Sequence, residues 1–108
     1  MKQKSDFQNR VVLVTGGTKG IGRGIAEGFL SAGAKVIVCA RNAPEQLPSF
    51  EGQSAEFMAC DVREADAGRA MITSIVAQHG RLDVLIHNAG AAPVWMQPQC
   101  RHLSLIHI

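Results

Sequence analysis

Tyrosine is absent from the 108-residue sequence, and aromatic residues make up only 5% of it. With no basic stripe either, the chain offers no stacking surface for a nucleic acid or another polymer. Charge is scarce as well: Asp, Glu, Lys and Arg total 19%, and the formal net charge is +2. So small a balance gives no electrostatic reason for a nucleic-acid or anionic-membrane partner. No apolar run is long enough to span a bilayer. Residues 1–10 lack the apolar centre and small-residue cleavage site of a secretory signal. The expected location is the cytoplasm. Cys39, Cys60 and Cys100 show no Cys-x-x-Cys spacing and read as reduced thiols. His79, His87, His102 and His107 form no metal-ligand spacing with them.

What is present is the composition of one small domain. Hydrophobic residues are 46% of the chain, and its length allows one core but not two. Residues 10–15, R-V-V-L-V-T, are a β-branched run closed by Gly16 and Gly17. This is the pattern of a strand buried on both faces. Ile21, Ile25, Ala26, Phe29 and Leu30 follow at helical spacing, and Gly33 closes that helix. Residues 35–40, K-V-I-V-C-A, predict a second buried strand. Residues 42–53 hold Pro44, Pro48 and Gly52 and predict a loop with one helical turn near Glu45. Residues 55–59 predict a third strand. A second helix follows, with Ala65, Ala70, Met71, Ile72, Ile75 and Val76 as its apolar residues and Gly80 at its end. Residues 82–87, L-D-V-L-I-H, predict a fourth strand.

The order is βαβ, loop, βαβ. Parallel strands need crossovers of one hand, which predicts a doubly wound, Rossmann-type α/β fold with strands in the order 3-2-1-4. The link from the second to the third strand is too short for a full helix, so one sheet face is expected to be thinly covered there. Residues 1–9 form a polar extension, residues 10–93 the partial dinucleotide-binding domain, and residues 94–108 an irregular tail. No crossover helix precedes that tail, so a fifth strand is not expected in it.

The decisive stretch is Thr15-Gly16-Gly17-Thr18-Lys19-Gly20-Ile21-Gly22, set between a strand and a helix. Gly16 turns the chain off the strand. Gly20, without a Cβ, lets the backbone approach a diphosphate. Gly22 allows the helix start to pack tightly on the sheet. Free amides and the positive dipole end of the helix then face the phosphates. A merely glycine-rich turn is the bland alternative, and four glycines in this context weigh against it. A Walker A loop would need Gly-Lys followed by Ser or Thr. Here Ile21 and Gly22 follow Gly20, which removes an NTPase reading.

The spacing T-G-x-x-x-G-x-G resembles the classical short-chain dehydrogenase/reductase family. Asp61-Val62 after the third strand and Asn88-Ala89-Gly90 after the fourth extend the resemblance, which covers residues 10–93. It implies cofactor contacts from Gly16, Thr18, Lys19, Gly20, Ile21, Gly22, Asp61, Val62, Asn88, Ala89 and Gly90. Asp61 would meet the adenine, and the Asn-Ala-Gly segment would lie beside the cofactor. Taken singly, Asp61 also reads as a helix cap and Asn88 as a turn residue. His87 stands where many relatives have Asn, a departure of little expected consequence.

A NAD-binding unit ends its second strand in an acid that bonds the ribose hydroxyls. Ala40 occupies that place here, and Arg41 follows. A guanidinium pairs with a 2′-phosphate in a forked, charge-assisted way, and Lys19 adds a second positive charge. NADP(H) is therefore expected rather than NAD(H). The family's catalytic Tyr-x-x-x-Lys is missing, since the chain has no tyrosine. The resemblance thus implies the cofactor-binding half of an oxidoreductase acting on a carbonyl or alcohol, truncated to about four strands and inactive alone. No catalytic residue is assigned, and Ser104 stands in no matching context. A non-enzymatic nucleotide-binding or interaction module is the alternative. The end of the chain, residues 101–108, looks foreign to the family and reads as non-native. The fourth strand would then be an exposed apolar edge, prone to association, whereas full-length relatives are expected to be homo-oligomers.

Overall fold

The structure is a computed structural model that describes residues 7–88 and the backbone of residues 104–107. The main sheet is parallel. It contains β1 (Val11–Thr15), β2 (Lys35–Ala40), β5 (Glu56–Ala59), β6 (Val84–His87) and β7 (Ser104–His107) in the order β5-β2-β1-β6-β7. Between β2 and β5 lies a small antiparallel pair, β3 (Ser49–Phe50) and β4 (Gln53–Ser54). Helix α1 (Gly20–Ser31) joins β1 to β2, and α2 (Ala65–His79) joins β5 to β6.

The first four strands of the main sheet lie in the expected order, with β5 and β6 as the third and fourth. Every residue of β1 and β6 is buried, as both-face burial requires. Alternation divides the strands between two cores. Val11, Leu13, Ile37, Cys39 and Leu85 face Met71 and Ile75 of α2. Val12, Val14, Val36, Val38, Val84 and Ile86 face Ala26 and Leu30 of α1. The chain leaves β1 through α1 on one face and returns to β6 through α2 on the other. A constant crossover hand requires that alternation of faces.

Several expectations are corrected. The tail is not irregular throughout, because β7 pairs with β6 in register Val84↔Ser104 to His87↔His107. A strand with apolar residues beside an unpaired ladder completes that ladder's hydrogen bonds. The edge of β6 that faces away from β1 is therefore covered, and the main sheet has five strands rather than four. No helical turn forms near Glu45. The segment instead folds into the β3–β4 hairpin, whose turn residues Glu51 and Gly52 have φ of 50° and 82°. Two positive φ values in a two-residue loop match the twist of a tight hairpin. Gly52 was the one available signal, since Glu51 before it is not the Asn or Asp that favours such a turn. The thinly covered face is filled by Leu47 and Phe57, which pack with Phe29 against the α1-side core. Phe7 joins them from the polar extension, its ring edge-on to Phe29 at 5.0 Å.

The amino-terminal rim is closed by charge. Asp83 is 3% exposed, and its carboxylate accepts the Val11 amide at 2.8 Å and Arg81 Nη2 at 2.7 Å. Arg10 stands 4.0 Å away. Burial pushes the Asp83 pKa up, but the Arg81 and Val11 hydrogen bonds and the two guanidinium charges outweigh it and hold it below the usual carboxylate range.

Candidate functional site

The opposite, carboxyl rim is where the strand order reverses. From β1 the chain steps outward to β2, and after β5 it returns to β6 on the other side of β1. Crevices at such a reversal are the ligand sites of open parallel sheets. Both candidate motifs reach it, the glycine loop from β1 and Asn88 from β6.

Gly16 has φ of 66° and Gly20 has φ of 56°, conformations that side chains disfavour. Gly16 N–H donates to the Cys39 carbonyl at 3.0 Å, which ties the turn to β2. A Cβ on Gly22 would overlap the Gly16 carbonyl and the Asn88 amide nitrogen. That corrects the reason for Gly22: its close approach is to the loop and to Asn88. The glycine pressed on the sheet is Gly17, where a Cβ would stand 2.6 Å from Val38 Cγ1. Gly17 was not among the expected site residues. At Gly20 a Cβ would meet nothing within 4 Å, so the space above it is open.

Asn88 closes the cradle. Its Nδ2 donates to the Gly16 carbonyl at 3.3 Å, and its backbone N–H donates to Thr15 Oγ1 at 3.1 Å. Thr15 Oγ1 also lies 2.9 Å from His87 Nδ1. His87 is 1% exposed, so this residue is an interior tie between β1 and β6. Along the sequence His87 carries little weight and the Thr15 hydroxyl none. The near-continuous apolar run of β6, which buries every one of its residues, was the signal.

Helix α1 begins with no acidic residue in its first turn and no capping side chain from Lys19. Its first amides therefore have no side-chain acceptor, the arrangement that suits an anion. Ile21 is 71% exposed at this helix start. Beside the loop lies an open cleft of about 510 Å³, lined by Thr18, Lys19, Arg23, Pro44, Glu45 and Gln46. Two of the expected contacts, Thr18 and Lys19, share it.

Arg41 and Asp61 sit elsewhere on the rim, at the ends of β2 and β5. Asp61 Oδ1 accepts the Arg63 backbone N–H at 3.0 Å, and Oδ2 accepts Arg63 Nη2 at 2.8 Å. These bonds, with a smaller contribution from the Arg41 charge, lower the Asp61 pKa to about 2. Asp61 is not the cap of the helix that follows, since Glu64 holds that position without a side-chain hydrogen bond, and Asp61 binds the turn ahead of it instead. Val62 is half-buried and packs on the α2-side core. Cys39, behind the loop, is pushed up to about 12 by burial and by neighbouring Cys60, against a hydrogen bond from Gly16. Ala89, Gly90, Trp95 and Cys100 lie outside the described residues. Among the described residues no group of His, Cys, Asp and Glu gathers for a metal, and no helix is long and apolar enough to cross a membrane.

Residues 10–103 match the family described as short chain dehydrogenase. L-fucose dehydrogenase of Oryctolagus cuniculus is 38% identical over 98 residues, which are 86% of this chain and 33% of that protein. This chain therefore spans about a third of that relative's length. A metagenomic short-chain oxidoreductase solved in complex with NADP is similar with a TM-score of 0.69 and 38% identity. That likeness covers 81% of this chain and 41% of the other. A short chain dehydrogenase from Leptospira borgpetersenii with bound NAD+ has a TM-score of 0.69 and 28% identity, over 92% of this chain and 40% of its own. With the glycine cradle, the Asn88 closure and the sheet order already in place, these likenesses lead to one conclusion: the chain belongs to the short-chain dehydrogenase family.

Proposed function

We propose that this chain is the NADP(H)-binding half of an oxidoreductase that acts on a carbonyl or alcohol, the residues for proton transfer lying in a part not included here. The observation that carries the reading is the cradle of Gly16, Gly20 and Gly22 at the strand-order reversal, with uncapped α1 amides behind it. A diphosphate fits there: Gly20 opens onto free space, and no carboxylate of the first helical turn competes. Gly16, Thr18, Lys19, Gly20, Ile21 and Gly22 would hold the diphosphate end. Asp61 and Val62 would border the adenine, and Asn88, Ala89 and Gly90 the central part of the cofactor. Arg41 and Lys19 would favour a 2′-phosphate by charge, since Ala40 leaves no carboxylate to repel it.

The cofactor, when bound, supplies hydride transfer at its nicotinamide ring. This chain orients it and contributes no phenolic proton donor, as it has no tyrosine. The same reading places it in the cytoplasm with reduced thiols, and the complete protein in a homo-oligomer. The missing tyrosine also favours a second reading, a nucleotide-binding module without catalysis. A longer reading frame that encodes Ser and Tyr-x-x-x-Lys decides for the enzyme, and a genuine stop after Ile108 decides for the module.

Titration of the chain with NADPH and NADH, read by nicotinamide fluorescence, tests the cofactor preference. NADPH binds more tightly, and Arg41→Ala removes about tenfold of that preference, worth roughly 1.4 kcal/mol. Equal affinities that Arg41→Ala leaves unchanged would overturn the preference.

A further inference from the structure

The crossover from β2 to β5 has no helix to hold it, yet residues 44–46 form one wall of the cleft beside the glycine loop. Its anchorage comes from two sides. Below, Pro48 is fully buried, its carbonyl accepts the Ala55 amide at 2.9 Å, and Leu47 packs on the α1-side core. At the rim, the only side chain of α1 lining the cleft is Arg23. Its Nη1 donates to the Gln46 carbonyl at 2.8 Å and to the Thr18 carbonyl at 3.4 Å. Its Nη2 donates to the Leu47 carbonyl at 3.3 Å. Its Nε faces Glu27 at 3.4 Å, one helical turn further on. One rigid fork therefore joins both walls: Thr18 belongs to the glycine loop, and Gln46 and Leu47 to the crossover.

We infer that Arg23 is a positioning residue, which sets the width of the cleft that receives the adenosine end of the dinucleotide. The assignment rests on the cofactor reading above. The glycine loop takes the diphosphate, and the end of β2 is where a ribose hydroxyl or 2′-phosphate lies in such folds. The cleft lies between the glycine loop and the crossover that leaves the end of β2. Lys19 on one wall is the cation for a 2′-phosphate, while Glu45 on the other wall is a carboxylate that must be kept at a distance from it. The guanidinium places its donors on carbonyls and on Glu27, so it serves the cleft by holding the walls and leaves the phosphate charge to Lys19 and Arg41.

The test uses the full chain with 2′,5′-ADP and 5′-ADP as probes, which read the adenosine end alone. Arg23→Met keeps the apolar stem and removes the fork. It is expected to speed hydrogen exchange at the Glu45, Gln46 and Leu47 amides in the free protein, while the amides of β1 and of the α1 interior stay protected. It is also expected to weaken 2′,5′-ADP about tenfold and 5′-ADP far less. A general loss of fold would instead weaken both probes together and release α1 as well. Arg23→Lys keeps the charge but reaches fewer carbonyls, and falls between the two. It carries the test alone if Arg23→Met does not fold. Wild-type exchange with a wild-type ratio of probe affinities overturns the role of Arg23 alone. A wild-type chain that binds neither probe overturns the cofactor reading and this role with it.

Discussion

The two strand–helix units of the sheet treat their helix starts in opposite ways. In the first, β1 runs through Gly16 and Gly20 at positive φ into α1, whose first turn carries no acid and no capping side chain. In the second, β5 runs into a turn held by the Asp61 carboxylate and paired with Arg63, and α2 has Asp66 in its first turn. Neither helix start has a side-chain cap, but the Asp66 charge already complements the positive end of the second, while the first has no acid in its opening turn and leaves its donors for something else. The far ends differ too. Gly80 stops α2 in a left-handed conformation with His79 in the last turn, and α1 ends at Ala32 without a basic residue. The same supersecondary unit is thus finished for stability in one copy and left open for a ligand in the other.

The contrast can be broken most strongly at the closed rim of the second unit. Asp83→Ala leaves the Val11 amide and two guanidinium groups without their buried partner. A loss of about 4 kcal/mol is expected, read as a lower urea midpoint. The wild-type contribution depends on pH with a fixed sign. The folded pKa of Asp83 lies below its unfolded value, so its stabilisation is complete above the ordinary carboxylate range, near 4. It is lost as pH falls through that range towards the folded value. Asp83→Asn should flatten the acid limb of stability in that window, and an unchanged acid limb would contradict the assignment.

Within the first unit, Gly22 and its neighbours on α1 make a sharper comparison. Gly22→Val drives a side chain into the Gly16 carbonyl and Asn88, and backbone cannot yield there. About 3 kcal/mol of stability and measurable NADPH binding should both go. At Gly24 and Gly28 a Cβ meets nothing within 4 Å. Alanine there should stabilise by up to about 1 kcal/mol each, since glycine disfavours a helix interior. One helix then responds with opposite signs within two turns, and equal responses at all three positions would remove the idea of a shaped cradle.

Smaller effects test the chemistry around the loop. Cys39, with its pKa held up to about 12 by burial, should resist iodoacetamide in the folded chain and react after urea is added. Mass spectrometry of the labelled peptide checks this. The sign is the reverse of Asp83: the raised folded pKa keeps stability intact below the ordinary thiol range and loses it as pH climbs towards 12. Rapid native labelling at neutral pH would contradict the buried position. At the exposed start of the second unit, Arg63→Ala removes an ion pair whose Arg partner is 73% exposed. The melting midpoint should barely move, because water screens such pairs.

Local chemistry made much of this protein legible before any coordinates. Buried runs rich in β-branched residues announced β1, β2 and β6, a short apolar segment announced β5, helical spacing announced α1 and α2, and the glycine pattern announced the turn at the end of β1. These depend on neighbours a few residues apart, where backbone sterics and periodicity act directly. The family followed from the same short-range motifs. Boundaries were less exact: β6 begins at Val84, since Leu82 and Asp83 turn inward to close the rim before the ladder starts.

What only the tertiary structure decided lies in contacts between segments far apart in the chain. The pairing of β7 with β6 depends on which ladder stands unpaired, and no pattern inside residues 104–107 states that. The role of Gly17 depends on Val38 coming to rest beside it, and that of Thr15 on His87 and Asn88 arriving from β6. Arg23 reads along the sequence as an ordinary helix cation. It becomes the fastening of a loop because the crossover folds back over α1 and presents its carbonyls. Propensity acts on the chain as it runs, whereas unsatisfied donors and close approaches find their partners only once the sheet has set the distances.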